Sequence, residues 1–196
     1  ARYPVSSDRS LQGFDAADRL ALSDLDVSSA QRILVVNETF GGLAIPLVAV
    51  GAEVTVWADS VHVKTAVAEN LARNELAADQ ISFVDDPDGP SPDLPPFDAV
   101  VVKVPKALAQ LRFQLTQLRS LSDANTRIIG AGMVRHIHTS TVAAFESIIG
   151  PTVTSLAKRK ARLIHPELDT DRAVAQQDPM RYRTDTGVEV TSRAGV

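Results

Sequence analysis

The stretch that decides the fold runs from Ile33 to Ala44 and reads ILVVNETFGGLA. Its four leading apolar residues suit a strand covered on both faces, as in a parallel sheet. A polar and glycine turn, NETFGG, follows. GGLAIPLVAV then reads as a helix. Pro46 is tolerable there only in the first turn, where backbone N–H groups lack helical partners, and Gly51 is the stop signal. Strand, glycine turn and helix in that order form the opening unit of an α/β sheet.

The alternation extends in both directions. Upstream, DAADRLALSDL predicts a short amphipathic helix capped by Asp15, with Ala17, Leu20, Ala21 and Leu25 on one face. Downstream, EVTVW predicts a strand. VHVKTAVAENLARN predicts a helix with Val63, Val67, Leu71 and Asn74 along a stripe, and ISFVD a short strand. An acidic, proline-rich loop, DDPDGPSPDLPP, precedes the buried strand FDAVVVKV. Pro105 opens a helix that turns Leu108, Leu111, Leu115 and Leu118 inward. TRIIGAGMV predicts a strand. TSTVAAFESII predicts a helix with Ser or Thr at its cap and a stop at Gly150-Pro151. Strands alternating with helices through residue 149 imply right-handed crossovers and a Rossmann-like, mostly parallel, doubly wound sheet. Beyond it, TVTSLAKRKARLIH predicts one or two antiparallel edge strands, and RYRTDTGVEVTS a hairpin around Asp185-Thr186-Gly187.

Composition narrows the function classes. The 196 residues suffice for one sizeable domain. The net charge of −4 gives no overall basic field, so any nucleic-acid surface must be local. The absence of cysteine removes disulfides, thiolate catalysis and cysteine-ligated zinc, and fits a reducing compartment such as the cytoplasm. No apolar run approaches the ~20 residues needed to cross a bilayer, so no membrane partner is expected. ARYPVSSDRS has no apolar core of a secretory signal, and its lack of a starting Met is expected of a chain trimmed or disordered ahead of Ala1.

NETFGG is not GxGxxG. Glu38, Thr39 and Phe40 stand where small residues let a backbone approach a nucleotide, and the bulk of Phe40 is expected to fill that space. Asp59 ends the second strand, where an acidic residue commonly bonds a ribose, but Asp59-Ser60 also suits a helix cap. Asn37, Phe40, Gly41 and Asp59 are therefore degenerate cofactor positions. In enzymes that methylate exocyclic nitrogens, the fourth strand leads into an Asn/Asp-Pro-Pro-aromatic turn. Here it leads into KVPK, Lys103 to Lys106, which offers neither a side-chain acceptor for an amine nor a ring for a base. No catalytic residue is assigned. Lys158, Arg159, Lys160 and Arg162, with Arg135, suit phosphate contacts. If LAKRKARLI is a strand, Lys158, Lys160 and Arg162 share one face; the alternative is an edge kept soluble by its lysines. His136 and His138 lack a third ligand, and the spacing of Asp85, Asp86, Asp88 and Asp93 does not make a calcium loop, so no metal site is assigned.

Taken together, ILVVNETFGGLA, ADSVHVKTAVAENLARN, VVVKVPKALAQLRFQL, TRIIGAGMVRHIHTSTVAAFESIIGPT and LAKRKARLI resemble the N-terminal half of RlmG/RsmC-type ribosomal RNA guanine-N2 methyltransferases, on the large-subunit side of that family. The resemblance implies two tandem methyltransferase-like domains. The second binds S-adenosylmethionine and carries the Asn-Pro-Pro-Phe motif. The first keeps the fold without the cofactor site and aids stability and RNA binding. Residues 1–165 would then be that non-catalytic domain, and 166–196 a linker and hairpin leading to a C-terminal catalytic domain outside this chain. Ribosomal RNA and that catalytic domain are the implied partners. Two alternatives stay open: a domain that itself binds S-adenosylmethionine as an active methyltransferase, and a protein-interaction or dimerisation module.

Overall fold

The computed structural model describes residues 13–27, 31–58, 60–86, 88–173 and 180–192. A seven-stranded sheet holds β1 (Arg32–Val36), β2 (Glu53–Trp57), β3 (Ile81–Val84), β4 (Ala99–Lys103), β5 (Arg127–Met133), β6 (Thr152–Thr154) and β7 (Ala161–Pro166). Their spatial order is β3-β2-β1-β4-β5-β7-β6. β1 to β5 are parallel, and β7 and β6 close one side antiparallel. The doubly wound sheet and its antiparallel edge thus follow the sequence reading. The chain winds outward from β1 to one side, then from β4 to the other, so the order reverses between these two strands. In open α/β sheets ligands bind in the crevice at the carboxyl end of such a reversal.

Buried strands explain the continuous apolar runs. On one face Ile33, Val35, Val54, Val56, Val101 and Ile129 pack under α1 (Ala16–Asp24), α2 (Ala44–Ala49) and α3 (Val61–Arg73). On the other, Leu34, Val36, Val100, Val102 and Ile128 pack under α4 (Leu108–Ser120) and α5 (Thr139–Ile148). Each strand therefore alternates between two cores, with no polar face to interrupt the run. Asp15 caps α1 as expected, its carboxylate accepting from the N–H groups of Ala17 and Asp18. Pro46 sits in the first turn of α2.

Three local expectations are corrected. The helix after Pro105 begins at Leu108, because residues 104–107 first carry the chain off the sheet edge. The cap of α5 is His138, with Thr141 one turn in: the Thr141 hydroxyl accepts the His138 N–H at 3.2 Å. Residues 158–162 are not one strand. Lys158 pairs with Ala161, and Arg159 and Lys160 take left-handed φ of 51° and 65° as the tip of a two-residue hairpin loop. A separate hairpin, β8 (Met180–Arg183) with β9 (Glu189–Ser192), forms around the predicted turn. Of the polar stretch after Pro166, residues 174–179 lie outside those described.

Candidate functional site

The turn after β1 is built around a buried carboxylate. Glu38 is 1% exposed. Its Oε2 accepts the N–H groups of Leu43 at 2.9 Å and Ala44 at 3.1 Å, and its Oε1 accepts that of Thr39 at 2.8 Å. The N–H groups that begin a helix are a ready anion site, since they lack helical partners and point outward. In this protein the chain's own side chain occupies them. Phe40 does not fill the turn: it is half-buried and lies on the walls of two open clefts, one either side. The side chain that occupies the turn is Glu38, two positions before Phe40.

Two further charges complete the arrangement. Lys103 ends β4, and its ammonium stands 3.5 Å from Glu38 and 2.7 Å from the Asp18 carboxylate of α1. Asp18 is 2% exposed and also accepts the N–H of Asp15. The triad thus joins α1, the β1 turn and the end of β4. Burial pushes the Asp18 carboxyl above its usual range, against the opposing pull of Lys103. Burial acts the same way on Glu38. There the Lys103 charge and three N–H donors outweigh it and hold the carboxyl below its usual range. Burial would lower Lys103, but the two carboxylates prevail and raise it.

The glycines serve this packing. Gly41 has φ of 87°, and a Cβ there would stand 2.6 Å from Ile45 Cδ1. A Cβ on Gly42 would stand 2.8 Å from an Asp18 oxygen and 2.9 Å from the carbonyl of Gly13. Asn37, at φ of 62°, donates from Nδ2 to the Lys103 carbonyl and to Gln114 Oε1, both at 2.9 Å. Gln114 Nε2 donates back to Asn37 Oδ1 at 2.8 Å. This reciprocal amide pair ties β1, β4 and α4 together. Asn70, 3% exposed on α3, donates to the Phe40 carbonyl at 2.9 Å. Asp59 lies outside the described residues.

Sequence reasoning missed Asp18, Glu38, Gln114 and Asn70 as a group. The available signal was confined to Glu38 and Lys103, charges that close apolar runs and have to be paired if buried.

The basic residues gather at the carboxyl end of the strands. The 158–161 hairpin lies beside the end of β5, where Val134 N–H donates to the Lys160 carbonyl at 2.8 Å. Arg135, His136 and His138 follow directly. Lys158, Arg159, Lys160 and Arg135 are exposed, whereas Arg162 is half-buried in β7, opposite Gly132, with its Nε enclosed. The structure therefore brings four of the five basic candidates to one rim and sets Arg162 apart from them. Among the described residues no group of three His, Cys, Asp or Glu side chains could hold a metal ion, and no helix is long and apolar enough to cross a membrane.

Solved methyltransferases share the fold. A ribosomal protein L11 methylase from Lactobacillus delbrueckii subsp. bulgaricus superposes with a TM-score of 0.62 at 19% identity, over 78% of each chain. The magnesium protoporphyrin IX methyltransferase of Synechocystis PCC 6803, solved with bound SAH, gives 0.54 at 15% identity, over 76% of this chain and 78% of that one. Sequence relatives are nearer. The ribosomal RNA large subunit methyltransferase G of Stutzerimonas stutzeri is 37% identical over 187 residues, 94% of this chain and 49% of the relative. That of Erwinia tasmaniensis is 40% identical over 184 residues, 89% of this chain and 47% of the relative. The chain thus spans about half the length of the curated relatives it matches. The family described as the RLMG N-terminal domain matches residues 1–170, and the chain belongs to that family.

Proposed function

We propose that this domain is a non-catalytic partner within a large-subunit ribosomal RNA guanine-N2 methyltransferase. It braces the catalytic half and adds RNA-contacting surface. S-adenosylmethionine and the methyl-transfer groups belong to the other half of the polypeptide, reached through residues 166–196. Residues 1–165 are the bracing unit, and the setting is the cytoplasm, where ribosomal RNA is modified.

One observation carries this reading: Glu38 occupies the amide donors at the start of α2 and is locked there by Lys103. A ligand carboxylate or phosphate would need those donors. The residues at the turn therefore do not fit S-adenosylmethionine. The turn after β4 supports the same conclusion. Its leading side chain is a cation committed to two carboxylates, so it cannot accept a hydrogen bond from a guanine amine. The RNA role rests on the exposed Arg135, Lys158, Arg159 and Lys160 along one rim. Such residues neutralise phosphates without reading sequence; Arg162, half-buried, is the weakest of the five contacts.

Calorimetry and filter binding test the proposal. The 196-residue chain should give no binding heat with S-adenosylmethionine and should retain single-stranded and ribosomal RNA fragments in a salt-dependent way. Micromolar affinity for S-adenosylmethionine would restore the reading of an active methyltransferase. A dimer in sedimentation that RNA leaves unchanged, with no RNA retained, would favour an interaction module.

A further inference from the structure

The crevice at the β1–β4 reversal is only partly filled. Glu38 takes the side that faces α2, but an open cleft of about 500 Å³ remains between the β1 turn and the β4 turn. That size lies within the range of small-molecule sites. His62, Lys106 and His136 line it, with Phe40 and Thr39 on the β1 side. None of these three side chains is in an ion pair among the described residues, while the carboxylates of Glu38 and Asp18 are already engaged by Lys103. Partial burial and the charges of Arg135, Lys106 and His138 push His136 below the usual imidazole range, with Asp15 opposing. Arg135 Nε donates to His136 Nε2 at 3.1 Å, which holds that nitrogen as an acceptor in the free protein. The cleft therefore combines an ammonium outside any ion pair among the described residues, two imidazoles and an aromatic wall. It also opens on the same edge as the basic hairpin loop.

We propose that this cleft receives one nucleotide of an RNA strand, its phosphate against His62, Lys106 and His136 and its base against Phe40. Unstacked bases of single-stranded RNA are commonly held on aromatic rings in this way. The inference rests on the RNA-contacting role proposed above and adds a defined seat to it. An arriving phosphate sets a negative charge against the positive charges that lower His136, so it favours protonated His136 and releases that side chain from its role as acceptor for Arg135.

Proton NMR of the histidine Cε1–H signals tests this directly on the 196-residue chain, with His136→Gln and His62→Gln providing assignments. The titration of His136 is followed alone and with 5′-GMP, inorganic phosphate or a single-stranded RNA oligonucleotide. GMP and RNA should both raise its midpoint, and Lys106→Gln should weaken both by about tenfold, the effect of losing one charged hydrogen bond. RNA that binds through the hairpin loop while neither ligand moves His136 overturns the cleft and leaves the RNA surface standing. GMP that moves His136 while RNA fails to bind supports the cleft as a free-nucleotide seat and removes the RNA surface. Inorganic phosphate acting at the same concentration as GMP reduces the site to a bare anion contact and overturns the nucleotide assignment.

Discussion

Lys103, at the end of β4, reaches 2.7 Å from Asp18 on α1, a residue 85 positions earlier by the numbering (103 − 18). That single ion pair closes α1 over the edge of the sheet where the β1 turn lies. With one ammonium facing two buried carboxylates, removal of the cation leaves those charges with backbone N–H donors alone. Lys103→Met should therefore cost about 3–5 kcal/mol in urea unfolding. The added Glu38→Gln and Asp18→Asn changes should restore part of that loss, because they remove the uncompensated charge. A loss for Lys103→Met below about 1 kcal/mol, the usual scale of an exposed pair, would mean that the triad is effectively solvated.

The same groups set the pH dependence. Glu38 is held below its ordinary value of 4.5, so its contribution is present above that value and is lost as pH falls through the lower folded value. Asp18 is raised above 3.8, so its contribution has the opposite sense: it is present below 3.8 and lost as pH rises through the higher folded value. Lys103 is raised above 10.5, so its contribution is present below that value and lost as pH rises through the folded one. Glu38→Gln should flatten the acid limb of the stability profile. Asp18→Asn should cost less than Glu38→Gln at pH 7, since burial already disfavours the ionised Asp18 carboxyl whereas Lys103 and three N–H donors favour that of Glu38. Thermal melts of the three proteins from acid to neutral pH check both statements; an acid limb that Glu38→Gln leaves unchanged would contradict the first.

Much of this architecture is legible in the sequence for a simple reason. Parallel strands covered on both faces write themselves as unbroken runs such as ILVV and VVVK, and the two-sided burial of Leu34 and Val35 is what those runs encode. The triad is not legible, because its members come from three segments that only the folded sheet brings together. Glu38 was visible as bulk in a glycine turn, but its role depends on the three N–H groups that converge on it. The hairpin tip failed for a different reason. Tight two-residue loops favour Asn-Gly, whereas Arg159 and Lys160 adopt the left-handed region without that signal, so a run of basic residues reads as a strand.

Gly42 is required by its neighbours. Its added Cβ would meet the Asp18 carboxylate at 2.8 Å and the Gly13 carbonyl at 2.9 Å, one an anchored ion-pair member and the other backbone. Gly42→Ala should therefore displace α1 and cost about 1–3 kcal/mol, as overpacked sites do. Gly187 is the control, since a Cβ there meets nothing within 4 Å, although its φ of 84° still disfavours a side chain. Differential scanning fluorimetry should place the Gly42→Ala midpoint below that of Gly187→Ala.

Asn37 holds a left-handed turn and a reciprocal amide pair at once. Asn37→Gly keeps the backbone conformation and deletes the pair, stranding the mostly buried Gln114. An unsatisfied buried polar group costs about 1–3 kcal/mol. Asn37→Ala should cost more, since alanine tolerates φ of 62° poorly. Adding Gln114→Leu to Asn37→Gly should recover stability by removing the stranded amide. Urea midpoints for the four proteins decide the point, and failure of that recovery would show that the amide finds water instead.

The rim formed by Lys158, Arg159, Lys160 and Arg135 predicts a measurable salt slope. Each phosphate contact on a single strand contributes about −0.7 to the slope of log affinity against log salt. Replacing Lys158, Arg159 and Lys160 together by Gln should lower the slope by about 2 if each touches one phosphate. All three side chains are exposed at a loop, so the substitutions should leave the unfolding midpoint nearly unchanged. Arg162→Gln should barely change the slope, because that side chain is half-buried in β7 with its Nε enclosed. Filter binding of a single-stranded RNA across a salt series gives both slopes. Equal slopes for wild type and the triple variant would place the RNA contacts elsewhere on the molecule.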